Sequence, residues 1–560
     1  MLRFLTRHFP YQVKHADAYL VCGLVCVTVY AQIFSLFAGV GLLANILLLA
    51  FCLVIFWRER SELAGVFSQY AAKWGDTEKR RLYLKGFLLL SLFLLFAYGT
   101  SRGQIHYDTG LYHAQSIRWI EEYGVVKGLG NLHCRLAYNS SSFALSALYS
   151  MAFLGGQSYH CTAGWLAFVL AAVCLEMGKS LRRGRLRAGS FARVMCVYYL
   201  VNIFDEMISP ASDYFMVLLA FYIVIRFLDF CEEGERTILP YGLLCVLGVF
   251  LMTVKLSAAF ILLLTIYPAI RLLREKRWGE TGAYLGLGLV TAIPFFIRNV
   301  VISGWLVYPF TQIDLFDVAW KIPKGLADYD AKEIQVYGRG YTDVGRFDLP
   351  VREWLPGWFR TLAGSDKLLV IAAAVSVIIL LVYGFGMVFG WWKRRWEILL
   401  VQGTVTASFV FWLCTSPLIR YGCVWVYLTP AVVLGGIYDA VMYPKEGDGA
   451  ASEEEKKETK RDDFGWRTWM SRVASSAVIL LLLYKGLALT REIIDSYGNE
   501  YWLTQKDYGN YETYAYEIDG VTFYCPTEGD RVGYEAFPSS PQEAEITFLG
   551  DGLADGFVVK

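Results

Sequence analysis

The sequence predicts an all-α polytopic membrane protein of about thirteen transmembrane helices, with a small β-containing C-terminal appendage. Three observations predict it. Of the 560 residues 56% are hydrophobic and 18% charged, apolar runs of near-spanning length recur up to about residue 490, and the remainder turns to short alternating stretches with Gly-Asp turns. A soluble chain could not bury that much apolar surface. A formal charge of +1 gives no global field for steering nucleic acid, so none is expected as a partner.

A crossing helix needs about 20 mainly apolar residues. Windows of that order fall at 19–36, 38–57, 86–99, 164–181, 191–208, 213–230, 239–254, 256–270, 281–303, 367–391, 397–415, 422–443 and 473–490. Arg3, Arg7 and Lys14 precede the first run as in a signal sequence, but the second run follows at once with no small-residue cleavage site, so both are expected to be retained. Short loops rich in Lys and Arg stay cytoplasmic. Arg58 with Arg60, Lys79–Arg81, Arg182–Arg187, Arg271–Arg277, Lys393–Arg395 and Lys456–Arg461 then all fall on the side of the N-terminus, which puts the C-terminus on the outer face. Ser141–Gly156 is apolar, yet counting it as a crossing would reverse the Arg182–Arg187 loop, so it reads as a re-entrant or interfacial helix.

The domain division that follows is a membrane domain over 1–490, with outer loops at 101–139 and 304–366, and a small outer domain over 491–560. The long loop holds Trp320, Trp354, Pro356 and Trp358, which suits amphipathic pieces lying in the interface. In the tail Val521–Cys525 alternates like a strand, and Gly529-Asp530 and Gly550-Asp551-Gly552 are turn signals. Glu453–Arg461 mixes acids and bases without apolar periodicity and reads as a solvated loop. The twelve cysteines include no CxxC pair, and most lie inside apolar runs, so neither a disulfide framework nor a zinc site is expected; Cys134 and Cys525 read as free thiols.

The densest polar cluster follows the third span: His106-Tyr107-Asp108-Thr109-Gly110-Leu111-Tyr112-His113, then Arg118, Glu121, Glu122 and Arg135. Asp108 stands at the start of an interfacial helix, where it serves either as a cap or as a general base at the membrane face. A second acidic group, Asp205, Glu206 and Asp213, lies where one span meets the next, as a site or as solvated helix-end residues. Lys255 in Thr253-Val254-Lys255, Arg298 followed by Asn299, and Arg420 after Ser416-Pro417 all fall at the outer face, where the inside-positive rule does not place cations. They either snorkel to the interface or clamp an anionic group such as a lipid phosphate.

In this order the pieces resemble the GT-C glycosyltransferases. They are an aspartate early in the first outer loop (Asp108), acids after a later span (Asp205 to Asp213), Thr253-x-Lys255, Arg298-Asn299 with Gly304 and Tyr308-Pro309, and Pro417-x-x-Arg420-Tyr421. The stretch from Tyr107 to Asn139, with its Trp-x-x-Glu-Tyr-Gly and Gly-Leu-Gly-Asn-Leu, also resembles a group of bacterial multispanning proteins. The resemblance spans about residues 86–430 and implies an enzyme of the bacterial inner membrane. Its donor would be a polyprenyl-phosphate sugar and its acceptor a cell-surface glycan or lipid, with membrane lipids as surroundings. On these residues it implies an inverting displacement with Asp108 as base and His113 as the nearest second titratable group, while Lys255, Arg298, Asn299, Arg420 and Tyr421 hold the phosphate. Where the family often pairs two acids, Asp108 is followed by Thr109 and Gly110; one carboxylate and one histidine are too few ligands to assign a metal, so a divalent cation stays open. Two further readings remain: a transporter or flippase of a lipid-linked or anionic solute, and a polymerase or ligase of lipid-linked glycans.

Overall fold

The computed structural model describes residues 5, 8–9, 11, 13–72, 76–102, 105–155, 161–389, 396–443, 453–498 and 511–560. Arg3, Arg7 and Lys393–Arg395 lie outside the described residues.

Among the described residues eleven helices are long and apolar enough to cross a membrane: Asp17–Ser35, Leu42–Glu62, Leu82–Arg102, Thr162–Arg182, Ser212–Glu233, Leu256–Arg274, Trp278–Ser303, Gly364–Met387, Trp396–Cys414, Ile419–Met442 and Gly465–Ser496. The other two expected crossings are shorter. Ala188–Asn202 has 15 residues and Ile238–Val254 has 17, or roughly 23 and 26 Å of helix. The first stops early because Ile203–Ser209, at the end of its apolar window, coils into successive turns and carries Asp205 and Glu206 out of the helix.

Burial sorts the bundle. Ser212–Glu233 is its axis, with 94% of its apolar window buried, whereas Leu42–Glu62 has 6% and Leu82–Arg102 and Gly465–Ser496 have 11% each. The last three therefore turn their leucines outward to the surroundings, as a lipid-facing helix does. Glu453–Arg461 is not a loop: its backbone forms the first turns of the 44-residue Glu453–Ser496 helix. Glu and Lys are good helix formers, so a polar run without Gly or Pro continues an adjacent helix.

Ser141–Tyr149 is a nine-residue helix, about 14 Å long and too short to cross. It is buried along its length, and the Ser140 hydroxyl that caps it donates to the Val254 carbonyl at 2.8 Å. The long loop does contain amphipathic helices, Lys324–Gly338 and Val351–Thr361. Trp354 and Trp358 point from the second into the main core, and the Trp358 indole donates to the Pro417 carbonyl at 2.8 Å.

In the tail, β1 (Thr513–Ile518) and β2 (Val521–Pro526) form an antiparallel hairpin, and β3 (Ile546–Phe548) pairs with β4 (Phe557–Val559). Asp519 and Gly520 close the hairpin with φ of +49° and +82°, the two positive values that a two-residue turn of matching twist requires. The tail shares one core with both outer loops: Ile518, Phe523, Ile546 and Phe557 pack with Trp119, Leu129, Trp305 and Ile322. The Gly-Leu-Gly-Asn-Leu stretch is that junction. Gly128 has φ +61° and a Cβ there would run into the Phe557 carbonyl, while the Asn131 amide donates to the carbonyls of Trp320 and Phe557. Cys134 and Cys525 are free.

Candidate functional site

Asp108 precedes a single π-turn, Thr109–His113, that leads into the Ala114–Glu122 helix. Such turns widen a helix by one residue and recur at functional sites. The carboxylate does not cap it, since no hydrogen bond runs from the turn to that side chain. Instead Asp108 reaches across to the Ile419–Met442 helix, where the Arg420 Nη2 donates to its Oδ2 at 2.7 Å. The Arg420 Nη1 lies 2.7 Å from the Nε2 of His106. Arginine has no acceptor, so Nε2 faces a donor, and Nδ1 faces another, the Asp108 backbone N–H at 3.1 Å. Arg420 is thus a fork that holds a carboxylate and an imidazole at fixed separation, and the Asp108 Oδ1 is left without a hydrogen-bond donor among the described residues.

The neighbouring charges arrive from two more elements. Asp213 opens the axial helix and forms an ion pair with Lys255, which sits at the break between Ile238–Val254 and the 3-10 segment Leu256–Thr265. The Lys255 ammonium lies 4.4 Å from the centre of the Tyr421 ring. Glu206 accepts from the Tyr214 hydroxyl at 2.6 Å, and the Tyr214 ring stands edge-on to His106. Asp205, on the same turn as Glu206, has no side-chain partner among the described residues.

The expected site residues therefore divide. Asp108, Arg420, Tyr421, Lys255, Asp213 and Glu206 come together at one end of the bundle. His113 is beside them but buried, with its Nδ1 3.3 Å from the Thr109 hydroxyl and its ring against Tyr112 and Phe143. Burial, and then the neighbouring His106, holds its pKa well below the ordinary histidine range. Burial likewise lowers the pKa of His106, against the pull of Asp108. Both rings are neutral near pH 7.

Arg298 and Asn299 do not join the cluster. Arg298 is 2% exposed and donates to the Asn139 Oδ1 at 2.9 Å and to the Ser35 hydroxyl. Asn299 takes the Asn139 amide at 2.9 Å and donates to the Leu306 carbonyl. The pair ties the end of the first helix, the first outer loop and the long loop together.

Two residues of the cluster were outside the expected site. His106 stands two positions before Asp108, and only the fold shows that it faces the same arginine. Arg135 is the second: its field acts on Asp108 and Tyr107, yet no carboxylate of the described residues lies within ion-pair distance of it. Unlike Arg420 and Lys255, it makes no ion pair among the described residues.

Among the described residues the metal-ligand geometry found is His15, Asp17 and Glu176. It lies at the opposite end of the bundle, where Arg226 already donates to Asp17 at 2.7 Å and to Glu176 at 2.8 Å. A small cleft of about 60 Å³ opens beside it, lined by Val21, Tyr222, Arg226 and Leu247, and is remote from Asp108.

No curated protein matches the chain. A solved structure similar to it is that of the arabinosyltransferase EmbB from Mycobacterium smegmatis, at 11% identity and a TM-score of 0.38, over 76% of this chain. The match spans 42% of the EmbB chain. A family model described as a domain of unknown function, DUF8201, matches residues 2–427, which takes in the bundle from its first helix through the Asp108–Arg420 pair, and the chain belongs to that family.

Proposed function

We propose that the chain is a GT-C-type membrane glycosyltransferase that moves a sugar from a polyprenyl-phosphate donor to a cell-surface glycan or lipid, with inversion. The reaction takes place at the outer face of a bacterial inner membrane, with residues 1–490 as the membrane domain and 491–560 outside. What carries this reading is the Asp108 carboxylate, which has one oxygen on the Arg420 fork and the other unclaimed, among three cations at one end of the bundle.

In the proposed step the acceptor hydroxyl donates its proton to the Asp108 Oδ1 as its oxygen bonds the anomeric carbon. The bond from that carbon to the phosphate oxygen breaks, and the electron pair leaves with the polyprenyl phosphate. The hydrogen bond from Arg420 keeps the Asp108 carboxylate aimed. Arg135, which makes no ion pair among the described residues, takes the phosphate first; Lys255 exchanges Asp213 for it as negative charge develops. Arg298 is left out of the clamp, because its hydrogen bonds are spent on Asn139 and Ser35.

The test is release of polyprenyl phosphate from radiolabelled lipid-linked sugars by the purified chain in detergent, wild type beside Asp108→Asn and Arg420→Ala. Release that both substitutions abolish supports the reading. Undiminished release by a folded Asp108→Asn variant removes its base. No release with any donor, together with thermal stabilisation by the donor, turns the reading to a transporter of lipid-linked solutes.

A further inference from the structure

We infer that the C-terminal segment Asp530–Ala536 is a positioning element of the site, a clip that fixes the turn from which Asp108 projects; this rests on the proposal that Asp108 is the base. A π-turn is a costly shape for a short segment, and this one is held from outside. The Gly110 carbonyl accepts two hydrogen bonds from consecutive tail amides, Val532 at 2.9 Å and Gly533 at 2.8 Å. The buried Gln115 amide donates to the carbonyls of Gly533 at 2.9 Å and Ala536 at 2.8 Å. The Arg118 Nη1 donates to the carbonyls of Tyr534 at 2.7 Å and Glu535 at 2.8 Å.

Side chains close both ends of this contact. Before the turn, the Tyr107 hydroxyl donates to the Asp530 carboxylate, and the Arg531 guanidinium lies 4.7 Å from the Tyr107 ring centre and 4.9 Å from that of Tyr511. Beyond it, the Tyr534 hydroxyl donates to Glu121. Gly110 is required by the same contact: a Cβ there would stand 2.6 Å from the Tyr511 hydroxyl oxygen and 2.9 Å from two ring carbons. The segment 107–121 is thus gripped by the tail while Asp108 reaches for Arg420.

A base misplaced by about 1 Å loses on the order of a hundredfold in rate. Gripping the backbone on both sides of Asp108 confines that error without the tail touching substrate. Loosening the clip is therefore expected to lower kcat and to leave KM for the lipid donor nearly unchanged, because the cations that hold the phosphate sit on other elements.

The test uses the full chain, with transfer kinetics and amide hydrogen exchange over 107–122 measured on the same preparations of wild type, Gln115→Ala, Gly110→Ala and the double variant Gly110→Ala/Tyr511→Ala. Expected are faster exchange over 107–122 and a fall in kcat of about tenfold or more for each single variant, with donor KM within about twofold. The double variant, in which the smaller side chain makes room for the new Cβ, regains most of the lost kcat. Variants that exchange faster yet keep wild-type kcat, or single variants with unchanged exchange, overturn the inference. A wild type without transfer, or an Asp108→Asn variant that transfers normally, instead overturns the reading of the site, and the positioning role falls with it.

Discussion

Replacing Arg420 by lysine keeps the charge and removes the fork, which isolates what the geometry contributes. In the wild type two different nitrogens, each at 2.7 Å, serve Asp108 and His106 together. A lysine ammonium is one compact donor on a flexible stem and cannot reproduce both contacts at that separation. One hydrogen bond to a charged partner is worth about 1.5–3 kcal/mol when lost from a site this secluded. Arg420 and Asp108 side chains are 29% and 16% exposed, so solvent screening is partial. At about 1.4 kcal/mol per factor of ten, kcat/KM for Arg420→Lys should fall about 10- to 150-fold. Arg420→Ala, which strands the carboxylate, should fall further, toward the hundredfold to ten-thousandfold loss that removal of a general base causes. The assay is the initial rate of polyprenyl phosphate release over a range of donor concentrations, on protein whose melting temperature matches wild type. An Arg420→Lys variant with wild-type kcat/KM would refute the argument that the fork positions the base.

His106 makes a pH prediction. Its pKa is lowered below the ordinary 6.5 by burial, so the stability its neutral form supplies is full above that value and is lost as pH falls below it. Protonation would also aim an N–H at Arg420; transfer should therefore decline on the acid side, and His106→Gln, which keeps an acceptor, should flatten that limb of the rate profile. His15 has the opposite sign. Burial opposes its charge, but Glu176 and Glu233, 3.9 and 3.6 Å away, outweigh this and raise its pKa to about 9. Its contribution is full below 6.5 and lost as pH rises through about 9, so thermal melts should weaken across that window in wild type and not in His15→Gln. Arg298→Gln should lower stability by about 1–3 kcal/mol in melts, because it orphans Asn139 and Ser35, while the kcat/KM of the folded fraction stays at the wild-type value.

Much of the architecture was legible because the bilayer sets a length. Apolar windows near 20 residues, a polar Asp108 loop, a strand at Val521–Cys525 and a non-crossing Ser141 helix all follow from hydropathy, charge placement and turn chemistry. The Glu453–Arg461 run is a helix and not a loop, because absent apolar periodicity does not by itself break a helix built of good helix formers.

The sequence by itself determined that this chain crosses the membrane many times and that its ionisable groups gather at helix ends, since desolvating a charge within hydrocarbon is too costly anywhere else. Only the tertiary structure decided which cations share a site. Arg298 and Arg420 look alike in sequence, each an arginine at a helix end, yet one is enclosed by Asn139 and Ser35 and the other grips Asp108. The same holds for the tail, whose amides close on Gly110 from more than four hundred residues away. Hydropathy and spacing are local quantities, whereas these contacts depend on which helix faces are left to meet once the axial helix is buried.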